Sequence, residues 1–211
     1  MNTIEDNRLL AEAAEWRLLG LLFECPKPGW REQVAGLGAE VPDPDLQAAA
    51  ERAQAEAGEC AYHSIFGPGG PAAAREVSYI ESVQLGYLLS ELNDYYDAFR
   101  FSNGTAEAPD HVSVESSFLG YLRLKEAFAL ANSSRNLAAV TREAAEHFLA
   151  DHLSRIAEPL AKALECCGQQ YLTLVGRALL RRTGPRRQAG SNLLPVLGSS
   201  PERCGFACGE S

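Results

Sequence analysis

Glu107, Asp110, His111 and Glu115 bring three carboxylates and an imidazole into one short stretch of the chain, and two chemistries suit such a set. One is a general acid–base couple of Asp110 and His111. The other is an acidic rim that faces a cationic ligand. Pro109 fixes its own φ near the helical value and presses Ala108 into an extended conformation, so a loop rising from Gly104 ends here and Asp110 is placed to cap the next helix. His111, Glu115, Phe118 and Leu122 then recur at helical spacing, an ionisable pair at the mouth of an apolar seam. An enzyme built on Asp110 and His111 would need a nucleophile or a cofactor site nearby, and the sequence offers none.

Metal chemistry has little support. The histidines at 63, 111, 147 and 152 form no HExxH and no Glu-x-x-His pair, and His147 and His152 fall on different faces of a continuous helix. Cys204 and Cys208 stand beside glycines and supply only two of the four ligands of a tetrahedral zinc site. No metal and no cofactor is expected. The glycine-rich run 67–71 lacks the Lys-Ser/Thr ending of a phosphate-binding loop and reads as a turn.

The 211 residues, 46% of them hydrophobic, suffice for one sizeable core. No apolar run reaches the ~18 residues of a membrane span. The first residues carry Glu5 and Asp6, the reverse of a positively charged signal sequence, so a soluble cytoplasmic protein is expected. Nineteen basic against 28 acidic side chains give a net charge of −9, which disfavours nucleic acid and favours basic partners.

Apolar spacing of three and four predicts helices over 4–23, 43–66, 79–97, 110–130, 134–148, a further one after a corner at 151–153, and a last one over 169–182, with a short piece near 30–37. Nothing alternates with the period of a strand. The fold expected is therefore all-α, a single-domain bundle of about seven main helices over 1–184, followed by a flexible tail over 185–211. Loops 67–71 and 104–109 are the longest breaks, so the protein is expected as a monomer or as a weak dimer that exchanges helices there.

The Glu-x-Pro-Asp-His run opening a helix that continues through Glu115 to Phe118 and Leu119 resembles the TorD/DmsD/NarJ family of molybdoenzyme maturation chaperones. Tyr62, Ile65 and Phe66 resemble that family's aromatic-x-x-Leu-Phe element, and 78–81 its short Ser-Tyr-Ile-Glu motif. The proline directly before Asp110 is the arrangement of NarJ-like members, and the resemblance covers roughly 9–182. It implies an all-helical, TorD-like, cytoplasmic, non-enzymatic chaperone. Its partner would be the catalytic subunit of a molybdopterin oxidoreductase, held by a twin-arginine leader or amino-terminal peptide until the cofactor is inserted. Tyr62, Ile65 and Phe66 would meet the apolar part of that peptide and Glu107, Asp110 and Glu115 its arginines, with Pro109 and His111 in the same peptide-binding site. A helical adaptor for a folded partner is the alternative, with the Asp110–His111 enzyme behind it.

Overall fold

The computed structural model describes residues 3–80 and 85–184, and these are helical nearly throughout. Nine α-helices occur among the described residues: α1 (Thr3–Leu22), α2 (Trp30–Glu40), α3 (Pro44–Glu56), α4 (Glu59–Phe66), α5 (Leu85–Phe99), α6 (Val112–Ala131), α7 (Arg135–Phe148), α8 (Ser154–Leu164) and α9 (Gln170–Thr183). The only extended pairing among them is a single antiparallel bridge between Arg75 and His111. None of these helices is long and apolar enough to cross a membrane.

Local chemistry sets most of the boundaries. Asp43 caps α3 by accepting from Asp45 N at 2.8 Å and Leu46 N at 3.1 Å, with Pro44 in the first turn. Gly184, at a φ of 73°, closes α9 in the left-handed region that favours glycine. Three expectations need correction. The helix over 43–66 is two helices, because Ala57 and Gly58 are extended and Ala57 N closes α3 onto Ala53 O; glycine is a poor helix former, and the break re-aims α4 so that Tyr62 and Ile65 enter the core. The helix expected from 79 does not include Tyr79, since Glu76–Tyr79 is a short 3₁₀ turn and Ile80 is extended; α5 is described from Leu85. The corner at 151–153 is a π-helical turn, Leu149–Leu153, through which α7 runs on into α8. A wide turn of this kind adds a residue to the helical phase, and here it directs His152 inward, where it is fully buried.

α6 is the centre of the bundle, buried on nearly every side over its first turns, with α1 against one flank and α7 against another. The approach of α1 depends on two glycines. A Cβ added to Gly20 would lie 2.8 Å from Ser113 O, and one added to Gly120 would lie 2.9 Å from Ala13 O, so only a bare Cα fits at either crossing point. α3 and α8 pack on α9, and α2 on α3. α5 is held through rings. Tyr96 lies 4.9 Å from Phe118 between centroids, and Phe118 lies 4.8 Å from Phe148, so α5, α6 and α7 share one aromatic cluster.

Candidate functional site

The start of α6 is assembled from three distant parts of the chain. Glu76 N donates to Asp110 O and Val112 N to Ala74 O, both at 2.8 Å, so the segment around 74–76 lies alongside 110–112 as the isolated bridge. Tyr79 secures that segment, its hydroxyl accepting from Ala73 N at 3.1 Å and donating to Ala73 O at 2.7 Å. Tyr79 thus serves the fold, and Glu81 of the same motif lies outside the described residues.

Asp110 does not cap α6. Its carboxylate is fully buried and turned onto Arg75, whose Nη2 and Nε lie 2.7 and 2.8 Å from Oδ1, while Val77 N donates to Oδ2 at 3.4 Å. The cap is His111, whose Nδ1 accepts from Ser113 N at 3.2 Å and lies 2.6 Å from Ser113 Oγ. An Nδ1 that accepts leaves the proton of the neutral ring on Nε2, which then donates to the Tyr62 hydroxyl at 3.2 Å. Burial pushes the His111 imidazole down to about 4, with Arg75 adding to the effect against the opposing pull of Asp110. Asp110 and His111 are neighbours in sequence that face different partners, which disposes of their acid–base pairing.

Glu115 is also fully buried, and among the described residues the group its carboxyl meets is the carboxylate of Glu76. Burial raises its carboxyl well above the usual range, and the carboxylates of Glu76 and Asp110 push in the same direction. Glu76 itself is fully buried, with Oε2 3.0 Å from His152 Nδ1 and Oε1 3.9 Å from Arg155 Nη1. Beneath the site therefore lies a buried polar layer of Glu76, Asp110, Glu115 and His152, which Arg75 reaches from the surface. No sequence motif marks Glu76 or His152, since what joins them is the π turn and the fold of 74–79.

Of the three acids expected to form a rim, only Glu107 reaches solvent, its side chain 27% exposed. Asp110 and Glu115 have no surface to offer a peptide; tertiary partners drew the first inward, and the central position of α6 enclosed the second. Among the described residues the one ion-pair partner within 4 Å of the Glu107 carboxylate is His111 Nε2 at 3.9 Å, and that ring is neutral. Tyr62 and Ile65 are buried and Phe66 half-buried, with the Tyr62 and Phe66 rings 5.1 Å apart. Pro109 is half-buried and its carbonyl accepts from the Tyr96 hydroxyl at 2.8 Å. The structure thus brings together Tyr62, His111 and Glu107, from α4, the α6 cap and the loop before it.

That loop also walls a groove. A cleft of about 650 Å³ runs between α1, the exposed side of α6 and residues 101–105, lined by Leu10, Ala14, Leu37, Phe101, Tyr121 and Leu124 among others, with Arg17 and Glu24 as its charged members. Asn103 and Thr105 line it and fold the loop back on Glu107, Asn103 Nδ2 donating to Glu107 O at 3.1 Å and Glu107 N to Thr105 Oγ1 at 3.3 Å. Arg17 is held by Glu24 at 3.0 Å and Ser117 Oγ at 3.1 Å. The groove draws on four separate stretches of sequence, so no local motif announces it.

Residues 25–162 match the model of the family described as nitrate reductase delta subunit. The chain belongs to that family. Its members are molybdoenzyme maturation chaperones. The match spans α2 through most of α8, including Tyr62, the buried polar layer and Glu107. No curated protein and no solved structure matches the chain. Among the described residues no group of three His, Cys, Asp or Glu side chains could hold a metal ion; Cys204 and Cys208 lie outside them.

Proposed function

We propose that the protein holds the twin-arginine leader, or the amino-terminal peptide, of a molybdenum-cofactor oxidoreductase subunit while the cofactor is inserted. One observation carries the reading. An apolar groove large enough for several side chains is walled by a loop that leads to Glu107, a partly exposed carboxylate whose one ion-pair partner among the described residues is the neutral His111 ring. A leader offers two arginines and then an apolar stretch, so an arginine meets Glu107 and the apolar side chains enter the groove. Tyr62 and His111 lie behind Glu107, and the buried Asp110, Glu115 and Ile65 shape the site without touching the peptide. Release is as important as binding for such a chaperone, and a half-open, partly polar cleft suits moderate affinity.

The test is a synthetic peptide of two adjacent arginines followed by a run of leucine and alanine, titrated by fluorescence anisotropy. Ala14→Trp fills the groove from a half-buried position of α1 and should weaken binding about tenfold, a typical loss for an obstructed central contact. Unchanged affinity in a variant of normal thermal stability would place the peptide elsewhere.

A further inference from the structure

We propose that the client segment lies in the groove in one direction only, its amino terminus at the start of α6, and that its apolar stretch runs along α6 past Leu124 to end on Phe128. The proposal rests on the leader-binding reading and deepens it, assigning the direction of the peptide and a subsite beyond the cleft.

Three walls of the groove change character in the same sense. α1 and α6 cross antiparallel, since Gly20 meets Ser113 and Ser117, Gly120 meets Ala13 and Arg17, and Arg123 Nε lies 3.4 Å from Glu12 Oε2. Along α1 the lining therefore passes from Glu24 and Arg17, which bonds to Ser117 Oγ, to Ala14, Ala13 and Leu10, and the same register sets Leu10 level with Leu124. The loop follows this order. The Phe101 ring lies 5.4 Å from that of Tyr121, and Ser102, Asn103 and Thr105 carry the wall back toward the start of α6. Glu107 is outside the cleft but next to it, because its N–H donates to Thr105 Oγ1 at 3.3 Å and its carboxylate lies 3.9 Å from the capping His111. One end of the groove is thus polar, with Glu107 just past it, and the other is aliphatic and aromatic.

The apolar end does not stop with the cleft. Tyr121, Leu124 and Phe128 fall on one stripe of α6, and Phe128, one turn beyond the cleft, is 71% exposed, with Leu124 at 50% and Leu10 across from it at 47%. Large apolar side chains left in water in a line that continues a groove mark a binding surface. From Ser117 to Phe128 the helix rises roughly 16 Å, a track for about five residues of extended peptide or about eleven of helix. A leader places its arginines before its apolar stretch, so lying parallel to α6 sets the arginines at the polar end and the apolar side chains on Leu10, Leu124 and Phe128. The opposite direction would strip water from the guanidiniums at the apolar end, where Glu12 already pairs with Arg8 and Arg123.

The experiment uses the arginine-pair peptide in two forms, with a benzophenone side chain either just before the arginines or at the last apolar position. Each is photo-crosslinked to the full parent chain and the adducts are located by mass spectrometry. The probe before the arginines should label 24–33 and 101–107, and the one at the apolar end 7–14 and 121–128. In anisotropy titrations Phe128→Ser, a change at an exposed position, should weaken the peptide about fivefold with the melting temperature unmoved. That loss should vanish for a peptide whose apolar run is cut to two residues, and Leu137→Ser, at an exposed leucine of α7, should leave both peptides unaffected. Adducts inside the groove in the reverse pattern overturn the direction, and full affinity for Phe128→Ser overturns the subsite; in either case the leader reading stands. Adducts confined to another surface, or a peptide that does not bind the parent, sink the leader reading and this inference with it.

Discussion

Arg75 and Asp110, 35 positions apart, close an ion pair of 2.7 Å in which the carboxylate is fully buried and the guanidinium is 40% exposed. The asymmetry predicts unequal losses. Arg75→Ala strands a buried carboxylate and should cost about 3–5 kcal/mol. Asp110→Ala leaves an arginine that can turn to water, and should cost about 1–3 kcal/mol, mainly for the unpartnered Val77 N–H and the emptied space. Denaturant unfolding of the two variants measures the difference, and equal losses would mean that the pair is not what fixes 74–77 to α6.

His111 and Glu115 should tilt the dependence of stability on pH in opposite directions. The His111 ring is held down to about 4 in the folded protein, so between that value and about 6.5 the unfolded chain binds the extra proton, and stability falls as pH falls through this window. The full effect is of the order of 3 kcal/mol, and it is absent above about 6.5. His111→Asn keeps a capping acceptor and should flatten the parent's slope in that window. Glu115 is raised instead, so the folded state binds the extra proton and this residue costs stability as pH rises above the ordinary carboxylate range. Glu115→Gln should therefore be more stable than the parent at neutral pH, by about 1 kcal/mol or more, with the gain shrinking as the solution is acidified. A Glu115→Gln variant that loses stability at neutral pH would show that the buried carboxyl has a stabilising partner, such as an internal water.

The crossing of α1 and α6 should reject a single methyl group. Gly120→Ala would press its Cβ onto Ala13 O at 2.9 Å and Arg17 N at 3.1 Å, backbone atoms that cannot rotate away. The helices must separate, at a cost of about 1–3 kcal/mol. Gly36→Ala is the control, since a Cβ there meets nothing within 4 Å and glycine is the poorer helix former. Thermal unfolding should fall for the first and hold or rise for the second.

Legibility in the sequence depended on whether the deciding interaction was local. Asp43 and Pro44 announce the start of α3 because cap and first turn lie within three residues. At Asp110 the same rule misleads, since Arg75 outcompetes the helix terminus for the carboxylate and the cap passes to His111. The apolar stripe of α6 was readable, but Glu115 sits in the first turns, where the helix is buried on nearly every side, so its polarity suggested a surface it does not have. The π turn over 149–153 leaves no periodic trace, because one added residue shifts the phase of the next turns without breaking the helix. Tyr62, Phe66 and Glu107 stand in short motifs that a family resemblance singles out, whereas the groove between α1, α6 and the 101–105 loop exists only in three dimensions.

Function and stability should come apart at two carboxylates that the sequence presents as equivalents. Glu107 reaches solvent and has no cationic partner among the described residues, and Asp110 is buried against Arg75. Glu107→Gln should leave thermal stability nearly unchanged, since its side chain bonds to nothing that the fold needs, and should weaken the arginine-pair peptide several-fold. The affinity that remains should depend less on salt, because the lost contact is an exposed one that ions screen. Asp110→Asn should do the reverse, lowering stability while leaving the salt dependence of peptide binding as it is in the parent. Anisotropy titrations at low and at physiological ionic strength, paired with melting curves, separate the two. If Asp110→Asn instead flattens the salt dependence and Glu107→Gln does not, a client arginine must reach the buried carboxylate by displacing Arg75, and the groove beside Glu107 is not where the leader's arginines bind.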